Sequence, residues 1–151
     1  MTDNDRIARQ FERLYVGNMW LKGTLGGMDA AAAAWKPGAT LHSCYELVFH
    51  VDAWRRLTLA RLNGDAADDP DDNYFPPHAD VDERGWSEAR VRFFESAALV
   101  TARAANVRLD DLDVPVAPTQ MTVCDVLFEV LEHDSYHFGQ LRMVSKLVAA
   151  R

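Results

Sequence analysis

Three histidines carry the chemistry in this sequence. His133 and His137 are four residues apart in a segment of helical period, so their imidazoles rise on one face of a helix within reach of a common ion. At about 100° per residue, Leu127, Val130, Leu131, Phe138, Leu141 and Val148 define an inward arc, with His137 inside it and His133 on its flank. His50 belongs to a second stripe, Leu47, Val51, Trp54 and Leu57, and is expected to point inward as well. Three neutral imidazole nitrogens from two helices, with a fourth position open, form the ligand set of catalytic zinc and also suit nickel or iron. The bland alternative stays open, since inward histidines can instead be packed and hydrogen-bonded core residues. Asp134 falls near the centre of the same arc, where a carboxylate needs a partner. It can orient an imidazole N–H or act on a bound water, or it can be a core aspartate paired with an arginine or a backbone amide. His42 and His78 lie outside these stripes and are expected at the surface.

These side chains need helices to hold them, and four amphipathic segments are present. The first runs from about Asp5 to Gly26 with Ile7, Phe11, Leu14, Leu21 and Leu25 on one side, a stripe that Asn18 interrupts. A connector, Met28 to Thr40, leads to Ser43 and Glu46, a capping-box pair that opens a second helix ending at Asn63-Gly64. A third starts near Asp82, with Trp86, Ala89, Phe93, Ala97, Val100 and Ala104 on one face. The fourth is capped by Thr119 or Thr122 and runs to about Val148. No segment reads as a strand. The expected fold is all-α, a single-domain four-helix bundle over residues 1–151, and the long irregular stretch Asp65–Asp80 permits a crossover between the second and third helices. Its aromatic content (Tyr74 and Phe75, with His78 beyond) suggests a lid over the site.

Composition narrows the function. A formal charge of −7 argues against nucleic acid or an anionic membrane as partner, and no long apolar run marks a signal or a span, so the expected compartment is the cytoplasm. The two cysteines, Cys44 and Cys124, are expected as free thiols with nothing nearby to activate them. No Ser-His-Asp set or phosphate-cradling glycine loop is visible. Apolar residues Met143, Val144, Leu147 and Val148 exceed what one stripe needs, which points to a homodimer.

The stretch from His133 to Leu141, His-Asp-Ser-Tyr-His-Phe-Gly-Gln-Leu, resembles the His-x-x-Tyr-His-x-Gly-Gln-Ile/Leu signature of the DinB/YfiT-like metalloproteins. The stretch from His42 to His50, with Trp54 a turn further on, resembles that family's other signature, which ends in a metal histidine; Cys44 stands where a bulky aliphatic residue is commoner. The resemblance implies a four-helix bundle with one crossover. It also implies a divalent metal held by His50, His133 and His137, with water or substrate in the remaining place. Members include transferases and isomerases that use low-molecular-weight thiol cosubstrates. The expected function is therefore a metal-dependent enzyme of that type, or a hydrolase, acting on a small molecule. The alternative is a non-catalytic metal-binding bundle serving stress response or ligand binding. The name of the family evokes DNA damage, but the acidic charge supports no direct role on DNA.

Overall fold

The computed structural model describes residues 3–75 and 81–151; His78 lies outside them. Among the described residues the chain is helical, with α1 (Asp3–Gly17), α2 (Trp20–Gly26), α3 (Ala30–Ala34), α4 (Cys44–Leu62), α5 (Glu83–Ala105) and α6 (Val123–Ala149), plus one short 3-10 turn at Leu109–Asp111. The single extended pairing among the described residues is an isolated bridge between Pro115 and Thr122.

Caps decide where the helices begin. Ser43 accepts from the Glu46 amide while Glu46 accepts from the Ser43 amide, the full capping box. Asp82 caps α5, and Thr122 with Asp125 forms a second box at α6. Thr119 instead bonds the carbonyl of Val116 in the preceding turn, so Thr122 is the cap. The segment expected as one helix from Asp5 to Gly26 is broken after Gly17. Asn18 turns its amide back onto the Leu14 carbonyl at 2.7 Å and accepts from the Trp20 indole at 3.0 Å, so its side chain competes with the backbone ladder. The connector Met28–Thr40 also contains a helix, α3, capped by Asp29.

Two apolar clusters stack along the helices. One gathers Leu21, Leu25, Leu47, Val51, Trp86, Phe93, Phe138 and Leu141; the other gathers Phe11, Leu62, Val100, Val107, Val126 and Val130. The order in which each helix visits them gives its direction. Helices α1 and α6 run from the second cluster to the first, whereas α4 and α5 run from the first to the second. Neighbours α4 and α5 are thus parallel. Leu62, where α4 ends, and Glu83, where α5 begins, therefore lie at opposite ends of this helix pair.

A polar layer separates the clusters, with one residue from each long helix: Tyr15 of α1, Arg55 of α4, Ser96 of α5 and Asp134 of α6. Arg55 and Asp134 are both 0% exposed. The Arg55 Nε donates to both carboxylate oxygens (3.1 and 2.9 Å), and its Nη2 lies 2.8 Å from Oδ2. Its Nη1 donates to the Phe93 carbonyl at 2.8 Å and to Ser96 Oγ at 3.3 Å. Tyr15 donates its hydroxyl to Asp134 Oδ2 at 2.7 Å. The guanidinium also lies over the Phe93 ring, 4.7 Å from its centroid. Burial alone would push the Asp134 carboxyl up, but Arg55 and the donors around it hold it below the usual carboxylate range.

Candidate metal centre

The histidines sit where α4 and α6 face each other in antiparallel fashion. His50 Nε2 is 3.1 Å from His133 Nε2 and 3.1 Å from His137 Nε2. One ring nitrogen from each of the three lies within 4.8 Å of the others. His50 and His137 are buried and His133 is half-buried, as their wheel positions imply.

The outer nitrogens identify which atoms carry protons. His50 Nδ1 is 3.1 Å from the carbonyl oxygen of Asn73, an atom that can only accept, so this nitrogen carries the hydrogen. His137 Nδ1 is 2.7 Å from Gln140 Oε1, again an acceptor. The inward Nε2 atoms of His50 and His137 are therefore bare lone pairs aimed at each other. Burial, with the neighbouring imidazoles, pushes both residues down to about 4, so at neutral pH no proton relieves that opposition. A cation does. Nitrogens 3.1 Å apart are close to the roughly 3.3 Å separating two ligands at 2.0–2.1 Å from one tetrahedral ion. The donor set therefore fits a divalent metal, and these three residues could hold one.

Each ring is held differently. His133 stacks on Trp54, with centroids 3.9 Å apart and planes at 13°, and its Nδ1 is buried without a hydrogen-bond partner, 3.6 Å from Asp134 Oδ1. That distance exceeds a hydrogen bond but leaves the carboxylate as the nearest acceptor. His50 is covered by Phe75, stacked at 4.2 Å and 8°, which in turn stacks on His42 at 3.9 Å and 5°. His42 is thus half-buried against the site rather than at the open surface, because Phe75 gives its ring a flat apolar partner. Tyr74 meets His50 edge-on and donates its hydroxyl to Asp69. The loop makes this cover by taking Asn73 and Tyr74 into the left-handed region (φ 51 and 65), which costs about 1–2 kcal/mol per residue. Those angles turn the Asn73 carbonyl toward His50 and lay Phe75 on the ring.

A family model described as the DinB superfamily matches residues 17–141. The chain belongs to the DinB superfamily. No curated protein and no solved structure matches it. The match spans both histidine-bearing stretches, from before α4 to Leu141.

Among the sequence-based site residues, the structure brings His50, His133 and His137 together and places Asp134 behind His133. It also shows Asp134 paired with Arg55, one of the two alternatives the sequence left open. Arg55, Tyr15 and the Asn73 carbonyl were not anticipated. The stripe drawn for the second helix ran through Trp54 and Leu57, yet both are half-buried, while Arg55 and Thr58 lie inside. The series Cys44, Leu47, Val48, Val51, Arg55, Thr58 and Leu62 has helical spacing throughout; a charge in it disguised the inner face. A backbone carbonyl in a loop leaves no comparable signal in the sequence.

Proposed function

We propose that this DinB-superfamily chain holds one divalent metal ion through Nε2 of His50, His133 and His137 and acts on a small molecule there. The observation that carries the reading is the facing pair of lone pairs on His50 and His137, each fixed from behind by an acceptor. The ion would be zinc, nickel or iron, and when bound it would supply Lewis acidity, lowering the pKa of a water or a thiol in its remaining place.

The residues of the chain do the rest. Asn73 and Gln140 keep His50 and His137 in the tautomer that presents Nε2, and Trp54 restrains the plane of His133. Asp134 is the carboxylate nearest His133 Nδ1, and its charge is already balanced by Arg55, so its role would be to orient that ring rather than to move a proton. Phe75 and Tyr74 exclude water from the His50 side, the role of a lid. Cys44 does not serve as a nucleophile, because burial pushes its thiol up to about 12. A small thiol cosubstrate, with transfer to or isomerisation of an electrophile, fits a site with three neutral ligands and no protein nucleophile. Hydrolysis by an activated water is the other chemistry such a set supports.

The architecture that serves this site is, in the same reading, a four-helix bundle of α1, α4, α5 and α6 with the segment between Leu62 and Glu83 as its crossover. The parallel course of α4 and α5 supports it. The proposed homodimer uses the exposed face of α6, where Phe128, Tyr136 and Met143 are 63%, 65% and 66% exposed. Val144 and Val148 pack against the core instead. No helix among the described residues is long and apolar enough to cross a membrane.

Metal analysis of the purified chain tests the reading. One equivalent of divalent ion is expected, lost in His50→Ala and in His137→Ala. A content near zero, indifferent to either substitution, overturns it. A panel of thiols paired with electrophiles, run on metal-loaded protein, then separates an enzyme from a non-catalytic binder used in stress response.

A further inference from the structure

We infer that Gln140 is a positioning residue that sets the tautomer of His137 and, through it, the affinity of the site. The inference rests on the reading of His137 as a metal ligand. Gln140 stands one turn along α6 from Tyr136 and three residues beyond His137, so its amide reaches both side chains. Its Oε1 lies 2.7 Å from His137 Nδ1, and its Nε2 donates to the Tyr136 hydroxyl at 3.1 Å. The Tyr136 ring also meets the His137 ring edge-on, 5.0 Å between centroids at 77°.

These contacts make a two-ended clamp. A glutamine amide can present either its oxygen or its NH2 to an imidazole, and the two choices select opposite tautomers. With NH2 toward the ring, Nδ1 would accept and Nε2 would carry the hydrogen, blocking the shared point between the histidines. With Oε1 toward the ring, Nδ1 carries the hydrogen and Nε2 is free to bind. The Tyr136 hydroxyl can donate or accept, so the choice is read from the arrangement present, with the amide NH2 on Tyr136 and Oε1 facing His137 Nδ1. Tyr136 is 65% exposed, so its hydroxyl is free to serve as an acceptor at the helix surface. The contact with Gln140 gives Tyr136 a place in the clamp.

Long-range proton–nitrogen NMR of the metal-free full chain, at about pH 8 to keep imidazoles neutral, reads the tautomer directly. Wild type is expected to show His137 protonated at Nδ1. In Gln140→Met that signature shifts to a mixture or to the Nε2–H form, and zinc titration shows affinity lower by about ten- to a hundred-fold. Gln140→Glu keeps the acceptor oxygen and restores both the tautomer and the affinity. Tyr136→Phe, which loosens one end of the clamp, gives a smaller loss in the same direction. A Gln140→Met protein with wild-type tautomer and affinity overturns the inference, as does a Gln140→Glu protein that fails as Gln140→Met does, since that would make the role one of shape. If the wild-type chain bound no metal at all, the triad reading would fall, while the metal-free spectra would still decide the role of Gln140.

Discussion

Two polar clusters adjoin one another along α4 and α6, and their chemistry is opposite. In the first, Arg55, Asp134, Tyr15 and Ser96 meet with charges balanced and the Asp134 carboxylate accepting from Arg55 and Tyr15. In the second, His50, His133 and His137 bring ring nitrogens together, with the lone pairs of His50 and His137 in opposition. A cluster that satisfies itself needs nothing more from solvent or ligand and belongs to the framework. The second is held from outside at His50 and His137 and could hold an ion at its centre. The two meet at a single point, where Asp134 Oδ1 approaches His133 Nδ1 at 3.6 Å. In the proposed reading, the framework aims His133 through that point.

The comparison can be broken most forcefully at Arg55. Replacing it with methionine leaves Asp134 charged, buried and unpaired, and a loss of about 3–5 kcal/mol is expected from denaturant unfolding. The double variant Arg55→Met with Asp134→Leu should regain most of that loss, because both charges are then gone. Failure to regain it would mean that the layer also sets the register of the helices.

Next in size is the effect of metal. With ion at about a hundred times its dissociation constant, wild type should gain about 2.7 kcal/mol of stability, seen as a raised Tm. His137→Ala should gain nothing from metal, yet its metal-free form should be no less stable than wild type to within about 1 kcal/mol, because a repulsive contact has been removed. A large loss in the metal-free variant would instead place the histidines with the framework.

A smaller effect is expected at the start of α4, which carries His50. Glu46 is pushed up by burial but held below its ordinary range by Lys36 and the Ser43 amide, so its contribution is present above the ordinary glutamate range and lost as pH falls through the depressed value. Glu46→Gln should cost about 1 kcal/mol near neutrality and flatten the acid limb of a stability–pH curve. Smallest of all is the response of Cys44. With its thiol buried and pushed up to about 12, it should resist alkylation in metal-free and metal-loaded protein alike, while the half-buried Cys124 reacts faster. Rapid labelling of Cys44 on metal removal would show that the histidine end opens without its ion.

Much of the site was legible because helical periodicity is a local property. The spacing of His133 and His137, the arc around them and the Ser43–Glu46 box are written within a few residues of one another, and each appears as read. The face of α5 from Trp86 to Ala104 was equally plain. The break at Asn18 was visible only as an interruption, since the choice of its amide between helix and turn depends on Trp20 being there to donate. The Arg55–Asp134 pair was half legible. An aspartate on an apolar face announces that it needs a partner, but which of the chain's many arginines answers, from 79 residues away, is a matter of packing.

By itself, then, the sequence determined an all-helical chain with a DinB-type histidine set on inward faces, because burial patterns and caps act over one or two turns. Only the tertiary structure decided that α4 and α5 run parallel, that Arg55 neutralises Asp134, and that Asn73, Gln140 and Phe75 lock the imidazoles. Those outcomes depend on contacts between segments far apart in the chain. Their geometry follows from how whole helices stack and where a loop's carbonyl comes to rest, which no local spacing encodes.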